Sequence, residues 1–158
     1  MKNILFVCTG NTCRSSMAEA LLKKEALEQK LELNIKSAGT AVFQRSGASR
    51  NAILAVGQLG IDLSSHRSQQ VSEELIQEAE LILTMTHGHK QQLLQYFPYA
   101  KGKIFTLAEF ASEEGVKNIS DPFGGNLDCY IECRNEIHMH IRKLLHRLDS
   151  QRKGENEE

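Results

Sequence analysis

Apolar and polar positions follow one another in two rhythms. Residues 3–7 hold the unbroken run Ile4-Leu5-Phe6-Val7, the pattern of a parallel strand buried on both faces. Residues 16–29 then have helix-forming composition, with Met17, Ala20, Leu21 and Leu27 as apolar contacts. Residues 33–38 alternate through Leu33 and Ile35 and end at Gly39, predicting a second strand. After a loop at 40–46, a helix runs through Ala52, Ile53, Val56 and Leu59, with Gly60 as its stop. A polar connection at 64–68 leads to a helix at 73–80 capped by Ser72. Residues 81–85 read as a third buried strand, 87–97 as a helix stopped by Pro98, and 103–107 as a fourth strand. Residues 112–126 are expected to form a long loop. The last helix, about 127–148, places Tyr130, Cys133, Ile137, Ile141, Leu144 and Leu148 on one stripe. The tail at 150–158 has no apolar residue and is expected to fray.

Strands alternating with helices predict an α/β fold: one domain over residues 1–149, with a four-stranded parallel sheet covered by helices on both faces. Ligands of such sheets bind beyond the carboxyl ends of strands, where Cys8 falls. A chain of 158 residues suits one domain with a substantial core. A net charge of -1 gives no global reason to expect nucleic acid, so any anion site must be local. Four cysteines (Cys8, Cys13, Cys129, Cys133) are too few for a disulfide scaffold. The start lacks a signal-peptide apolar region, and no stretch is apolar enough to span a membrane. A cytoplasmic monomer with reduced cysteines and no membrane partner is expected.

The stretch CTGNTCRSS, residues 8–16, sits between the first strand and the first helix. Such a loop aims several backbone N–H groups at one spot, and the helix N-terminus adds positive potential there. Gly10 permits close approach of a ligand, and Asn11 tolerates left-handed geometry. Arg14 adds a fork that takes two phosphate oxygens at once. The same surroundings are expected to lower the Cys8 thiol pKa, with Ser15 donating to the sulfur, giving a nucleophile behind a bound phosphoryl group. A nucleotide-binding P-loop is excluded, because no G-x-x-x-x-G-K-[ST] is present.

Cys8-Thr9-Gly10-Asn11-Thr12-Cys13-Arg14-Ser15, flanked by Phe6-Val7 and Met17-Ala18-Glu19-Ala20, resembles the signature loop of the low-molecular-weight protein tyrosine phosphatases. Asp121-Pro122 resembles that family's general-acid loop. The resemblance covers the chain to about residue 148. It implies a flavodoxin-like, Rossmann-like fold, catalysis without metal or cofactor, and a phosphocysteine intermediate. It makes Cys8, Arg14 and Asp121 catalytic, with Thr9 to Ser15 and Phe123 binding substrate. A supporting network maps onto Asn11, Ser15, Ser37 and His66. Cys13 is implied as a redox partner that traps oxidised Cys8, although simple space-filling reads equally from the residue alone. Cys129-x-x-x-Cys133 with His138 and His140 fits no usual zinc spacing, and Cys133 lies on the core stripe.

Two positions bear on the substrate. Thr12 stands where tyrosine phosphatases of this family usually have isoleucine or leucine, and Phe123 where they usually have tyrosine. A bacterial branch with Thr and Asp-Pro-Phe-Gly-Gly, which this chain resembles still more, consists of protein arginine phosphatases. A phosphoguanidinium against an aliphatic wall would leave N–H groups unpaired at about 1–3 kcal/mol each, and threonine supplies a hydroxyl instead. The chain departs from the family at Ser16, usually proline, and at Thr86, usually acidic in eukaryotic members. Phosphorylated proteins are therefore the expected partners, with phosphotyrosine as the alternative to phosphoarginine. An arsenate reductase would need later cysteines in mid-chain, and none lies between Cys13 and Cys129. A non-catalytic phosphoprotein binder would not need both Cys8 and Asp121.

Overall fold

In the computed structural model, which describes residues 2–112 and 118–157, Lys2–Cys8 forms the first strand, β1. Its side chains alternate as the period of a strand requires. Ile4, Phe6 and Cys8 join one buried cluster, while Leu5 and Val7 join another on the opposite face. The chain continues through α1 (Arg14–Glu28), β2 (Leu33–Gly39), α2 (Arg50–Gly57), α3 (Glu73–Glu78), β3 (Leu81–Thr84) and α4 (His87–Tyr96). A 3₁₀ turn (Pro98–Lys103), β4 (Ile104–Thr106), α5 (Leu107–Ser112) and α6 (Leu127–Glu157) complete it.

All pairings are parallel, in the order β2-β1-β3-β4. Met17 and Leu21 of α1, Val56 of α2, Phe110 of α5, and Ile137 and Leu144 of α6 pack on the Ile4-Phe6 side. Ile76 of α3 and Leu93 of α4 cover the other. The chain leaves β1 towards β2 but leaves β3 towards β4, in the opposite direction. The crevice at the carboxyl ends of β1 and β3 is thus the switch point where such sheets bind ligands.

Several boundaries fall where the sequence places them. Gly60 follows α2 with φ 77°, and the Ser72 hydroxyl accepts the Leu75 N–H at 3.2 Å. Others differ for identifiable reasons. α1 begins at Arg14, inside the signature loop, and α3 ends at Glu78. Pro98, whose fixed φ suits a first turn, opens a 3₁₀ segment rather than merely ending a helix. α5 takes the end of the expected fourth strand because Thr106 and Glu109 form a reciprocal cap. The Thr106 hydroxyl accepts the Glu109 N–H, and the Glu109 carboxylate accepts the Thr106 N–H, both at 3.0 Å. Residues 113–117 of the expected 112–126 loop lie outside the described residues.

α6 reaches Glu157, where a frayed tail from residue 150 was expected. Gln, Arg, Lys and Glu favour helix even without an apolar stripe, and Asp149 pairs with Lys153 one turn on at 3.2 Å. Leu144 of α6 is fully buried in the larger cluster. Leu144→Ala should therefore cost about 2–5 kcal/mol of stability, read as a fall in the urea midpoint. An unchanged midpoint would contradict this packing.

Candidate active site

Residues 8–15 carry the chain from β1 into α1 around one left-handed residue, Asn11, with φ 58°. Its side chain works in both directions. Nδ2 donates to the Ser15 and Ser37 hydroxyls, each at 2.8 Å, and Oδ1 accepts the Gln69 N–H at 3.0 Å. The Asn11 carbonyl lies 2.7 Å from His66 Nε2. Ser37 passes its own hydrogen to Glu19 at 2.6 Å. The sequence-predicted supporting residues Asn11, Ser15, Ser37 and His66 are thus all in one hydrogen-bonded set. Because the Ser15 hydroxyl accepts from Asn11, its hydrogen is available to Cys8 Sγ, 2.8 Å away.

Gly39 ends β2 opposite Cys8 in the ladder. A Cβ there would strike the Thr9 carbonyl oxygen and stand 2.6 Å from Val42. Only glycine lets the two chain segments approach. At Gly10 a Cβ would meet nothing of the protein closer than the Thr12 hydroxyl at 3.6 Å, so the close approach it permits is towards solvent or ligand.

Burial is the largest influence on the Cys8 thiol and pushes its pKa up. The Ser15 hydroxyl, the Ser15 N–H, the Arg14 guanidinium and the Asn11 N–H pull it down. The expected lowering is thus outweighed by desolvation, which the sequence could not weigh. The donors expected around the sulfur are nonetheless those found, and the positive end of the 15-residue α1 points the same way.

Arg14 is buried and brings the far end of the chain to the loop. One Nη donates to the Ile119 carbonyl at 3.0 Å, and the other lies 3.5 Å from Asp121 Oδ2. Ile119 is held from its other side as well, its N–H donating to the Met85 carbonyl at 3.0 Å. Asp121 is half exposed, and its Oδ1 accepts the Phe123 N–H at 3.0 Å. The glycine pair after it has a shape-driven role. Gly124 takes φ 80° in a turn closed by Gly125 N–H to the Pro122 carbonyl, and a Cβ on Gly125 would lie 2.9 Å from that of Cys129.

Phe123 is 77% exposed and Phe43, in the 40–46 loop, 98% exposed. Within the 40–46 loop, Arg45 is turned back onto the Ser68 carbonyl at 3.1 Å. Thr12 is partly exposed, and its carbonyl accepts the Ser49 N–H at 3.0 Å. Cys13 is a buried free thiol, 3.5 Å from the Ser49 hydroxyl and 3.4 Å from that of Tyr130. Burial, with the Cys13 hydrogen bond, pushes the Tyr130 phenol up to about 12. Cys133 lies in the core, its thiol pushed up to about 12 by burial. Among the described residues no group of three His, Cys, Asp or Glu side chains could hold a metal.

Residues 3–154 match the family described as low molecular weight phosphotyrosine protein phosphatase. The chain belongs to that family. It is 43% identical over 148 residues to the protein-arginine-phosphatase of Geobacillus stearothermophilus, covering 94% of this chain and 97% of that one. It is 41% identical over 122 residues to the low molecular weight protein-tyrosine-phosphatase Ptp of Acinetobacter johnsonii, covering 77% and 80%. A solved structure of the arginine phosphatase YwlE, a cysteine-to-serine mutant with a phosphorylated active-site serine, matches with TM-score 0.91. Its identity is 39%, over 96% of this chain and 98% of that one.

This member of the family resolves its two departures locally. Ser16, in place of proline, donates to the Cys13 carbonyl at 2.9 Å and so closes the exit of the loop. Thr86 caps α4 by accepting the His89 N–H at 3.1 Å. His89 lies outside every motif of the sequence singled out above. Its ring lies 2.8 Å from the Thr9 hydroxyl, and burial, then Arg14, push its pKa down to about 4 against the pull of Asp121. Its place just after β3, on the far side of the switch point from Cys8, was the available signal. Glu19, Gln69 and Gly39 gave none, since their roles come from contacts between segments distant along the chain.

Replacing Ser15 by alanine removes a hydrogen bond to the sulfur and raises the thiol pKa further. At pH 7 iodoacetamide should then label Cys8 more slowly than in wild type, followed on the Cys8 peptide by mass spectrometry. Equal rates would show that the hydroxyl does not stabilise the thiolate.

Proposed function

We propose that the protein hydrolyses phosphoarginine on proteins, through a phosphocysteine on Cys8. One observation carries this reading: the Ser15 hydroxyl, two backbone N–H groups and the Arg14 guanidinium all act on one sulfur, while Arg14 also holds Asp121. In the first step Cys8 Sγ attacks phosphorus, the P–N bond breaks, and Asp121 gives its proton to the leaving guanidino nitrogen. In the second, water attacks phosphorus with Asp121 as base, the S–P bond breaks, and inorganic phosphate leaves. Arg14 and the N–H groups of residues 9–15 hold the phosphoryl oxygens as charge redistributes. The phosphorylated serine of the related YwlE mutant supports a phosphoenzyme.

Arginine is favoured by Thr12, whose hydroxyl suits a polar group, and by exposed Phe123, whose ring can stack on a guanidinium plane. The arginine-phosphatase relative points the same way. The similarity to Ptp keeps phosphotyrosine as the second reading. The substrates are phosphorylated proteins met in the cytoplasm by a monomer, and no described helix is long and apolar enough to cross a membrane. Cys13, on the same loop, is the candidate to trap oxidised Cys8 as a disulfide.

Turnover of a phosphoarginine protein and a phosphotyrosine peptide, measured side by side, should favour the first. Thr12→Ile should shift the ratio of kcat/KM towards phosphotyrosine by about tenfold or more, the value of one polar contact; an unchanged ratio would retire the role of Thr12. Cys8→Ser should lose turnover while still binding inorganic phosphate, because the surrounding donors survive. Phosphate release at the wild-type rate would overturn the nucleophile assignment.

A further inference from the structure

His89 stands across the β1–β3 crevice from Cys8 yet takes no part in the chemistry above. Its side chain is buried in the first turn of α4 and bridges the ends of two strands. Nε2 lies 2.8 Å from Thr9 Oγ1, and Nδ1 lies 2.9 Å from Thr86 Oγ1. The Thr86 hydroxyl already accepts the His89 backbone N–H at 3.1 Å, and its own hydrogen is available to Nδ1. With Nδ1 accepting that hydrogen, a neutral imidazole carries its proton on Nε2 and donates to Thr9. The Thr9 hydroxyl is thereby made an acceptor on the His89 side. Its hydrogen is released for another partner.

Thr9 follows Cys8 directly and is exposed, while its carbonyl is tied to the Ala41 N–H at 3.0 Å. The carbonyl is therefore engaged, and beside the N–H the hydroxyl is the side-chain group left to work. We propose that His89 is a positioning residue whose Nε2–H fixes the Thr9 hydroxyl as a donor to a phosphoryl oxygen held by the 8–15 loop. This rests on the phosphatase reading of that loop. The opposite tautomer would have Thr9 donate to Nε2 and turn its hydrogen away from the anion, so the protonated nitrogen decides the matter.

Long-range proton–nitrogen NMR of the wild-type protein at pH 7 should show His89 neutral and protonated on Nε2. A ring protonated on Nδ1, or on both nitrogens, would overturn the proposal whatever the enzyme hydrolyses. Kinetics supply the second arm. Thr9→Val and His89→Leu should each weaken inhibition by inorganic phosphate and lower kcat/KM by about tenfold, the scale of one hydrogen bond to a charged group. The double variant should be no worse than either single one, because both remove the same donor. His89→Gln, which can place an amide N–H near the position of Nε2, should recover most of the loss and covers the case in which leucine does not fold. Additive losses, or phosphate inhibition unchanged in His89→Leu or His89→Gln and Thr9→Val alike, would overturn the assignment. A wild-type protein that neither turns over phosphoprotein nor is inhibited by phosphate would instead overturn the phosphatase reading beneath it.

Discussion

The site depends on one backbone choice, the left-handed conformation of Asn11. That conformation costs about 1–3 kcal/mol in a residue other than glycine. Two side-chain donations, one accepted N–H and the contact with His66 offset it, each worth about 1 kcal/mol net. The same bonds that hold the strained residue also orient Ser15 towards the sulfur. Backbone strain and the setting of the sulfur therefore share one set of contacts, and the loop cannot relax without releasing Cys8 from Ser15.

A second tension lies at Cys8. Its seat at the buried end of β1 raises the cost of ionising the sulfur, while the hydrogen bonds and the guanidinium lower it. A buried thiol with so many donors is organised for the charged form that burial disfavours. An anion binding next to Arg14 and a carboxylate 3.5 Å from the same group then compete for one guanidinium. Arg14 ties the 8–15 loop and Asp121 together.

Much of this was legible in the chain. The apolar run before Cys8, the alternation up to Gly39 and the buried stretch at 81–85 give the sheet, because parallel strands covered on both faces have few other patterns. The loop was legible because each of its polar residues has a local reason to be there. What escaped depends on register rather than neighbourhood. Gly39 matters because it lies opposite Cys8, and His89 because β3 pairs with β1; neither relation is written in local sequence. The thiol pKa went the same way, since burial is a sum over distant elements. α5 is a different case. The Thr106–Glu109 cap has a recognisable signature, masked by the apolar run into which it intrudes.

Ile119 has both of its backbone polar groups engaged, the N–H by the end of β3 and the carbonyl by Arg14. It acts as a rivet two residues upstream of the carboxylate. The Asp121 carboxylate is therefore indexed to the sheet through Met85 and to α1 through Arg14. A change at Met85 or Arg14, each far from Asp121 along the chain, would therefore be felt at that carboxylate.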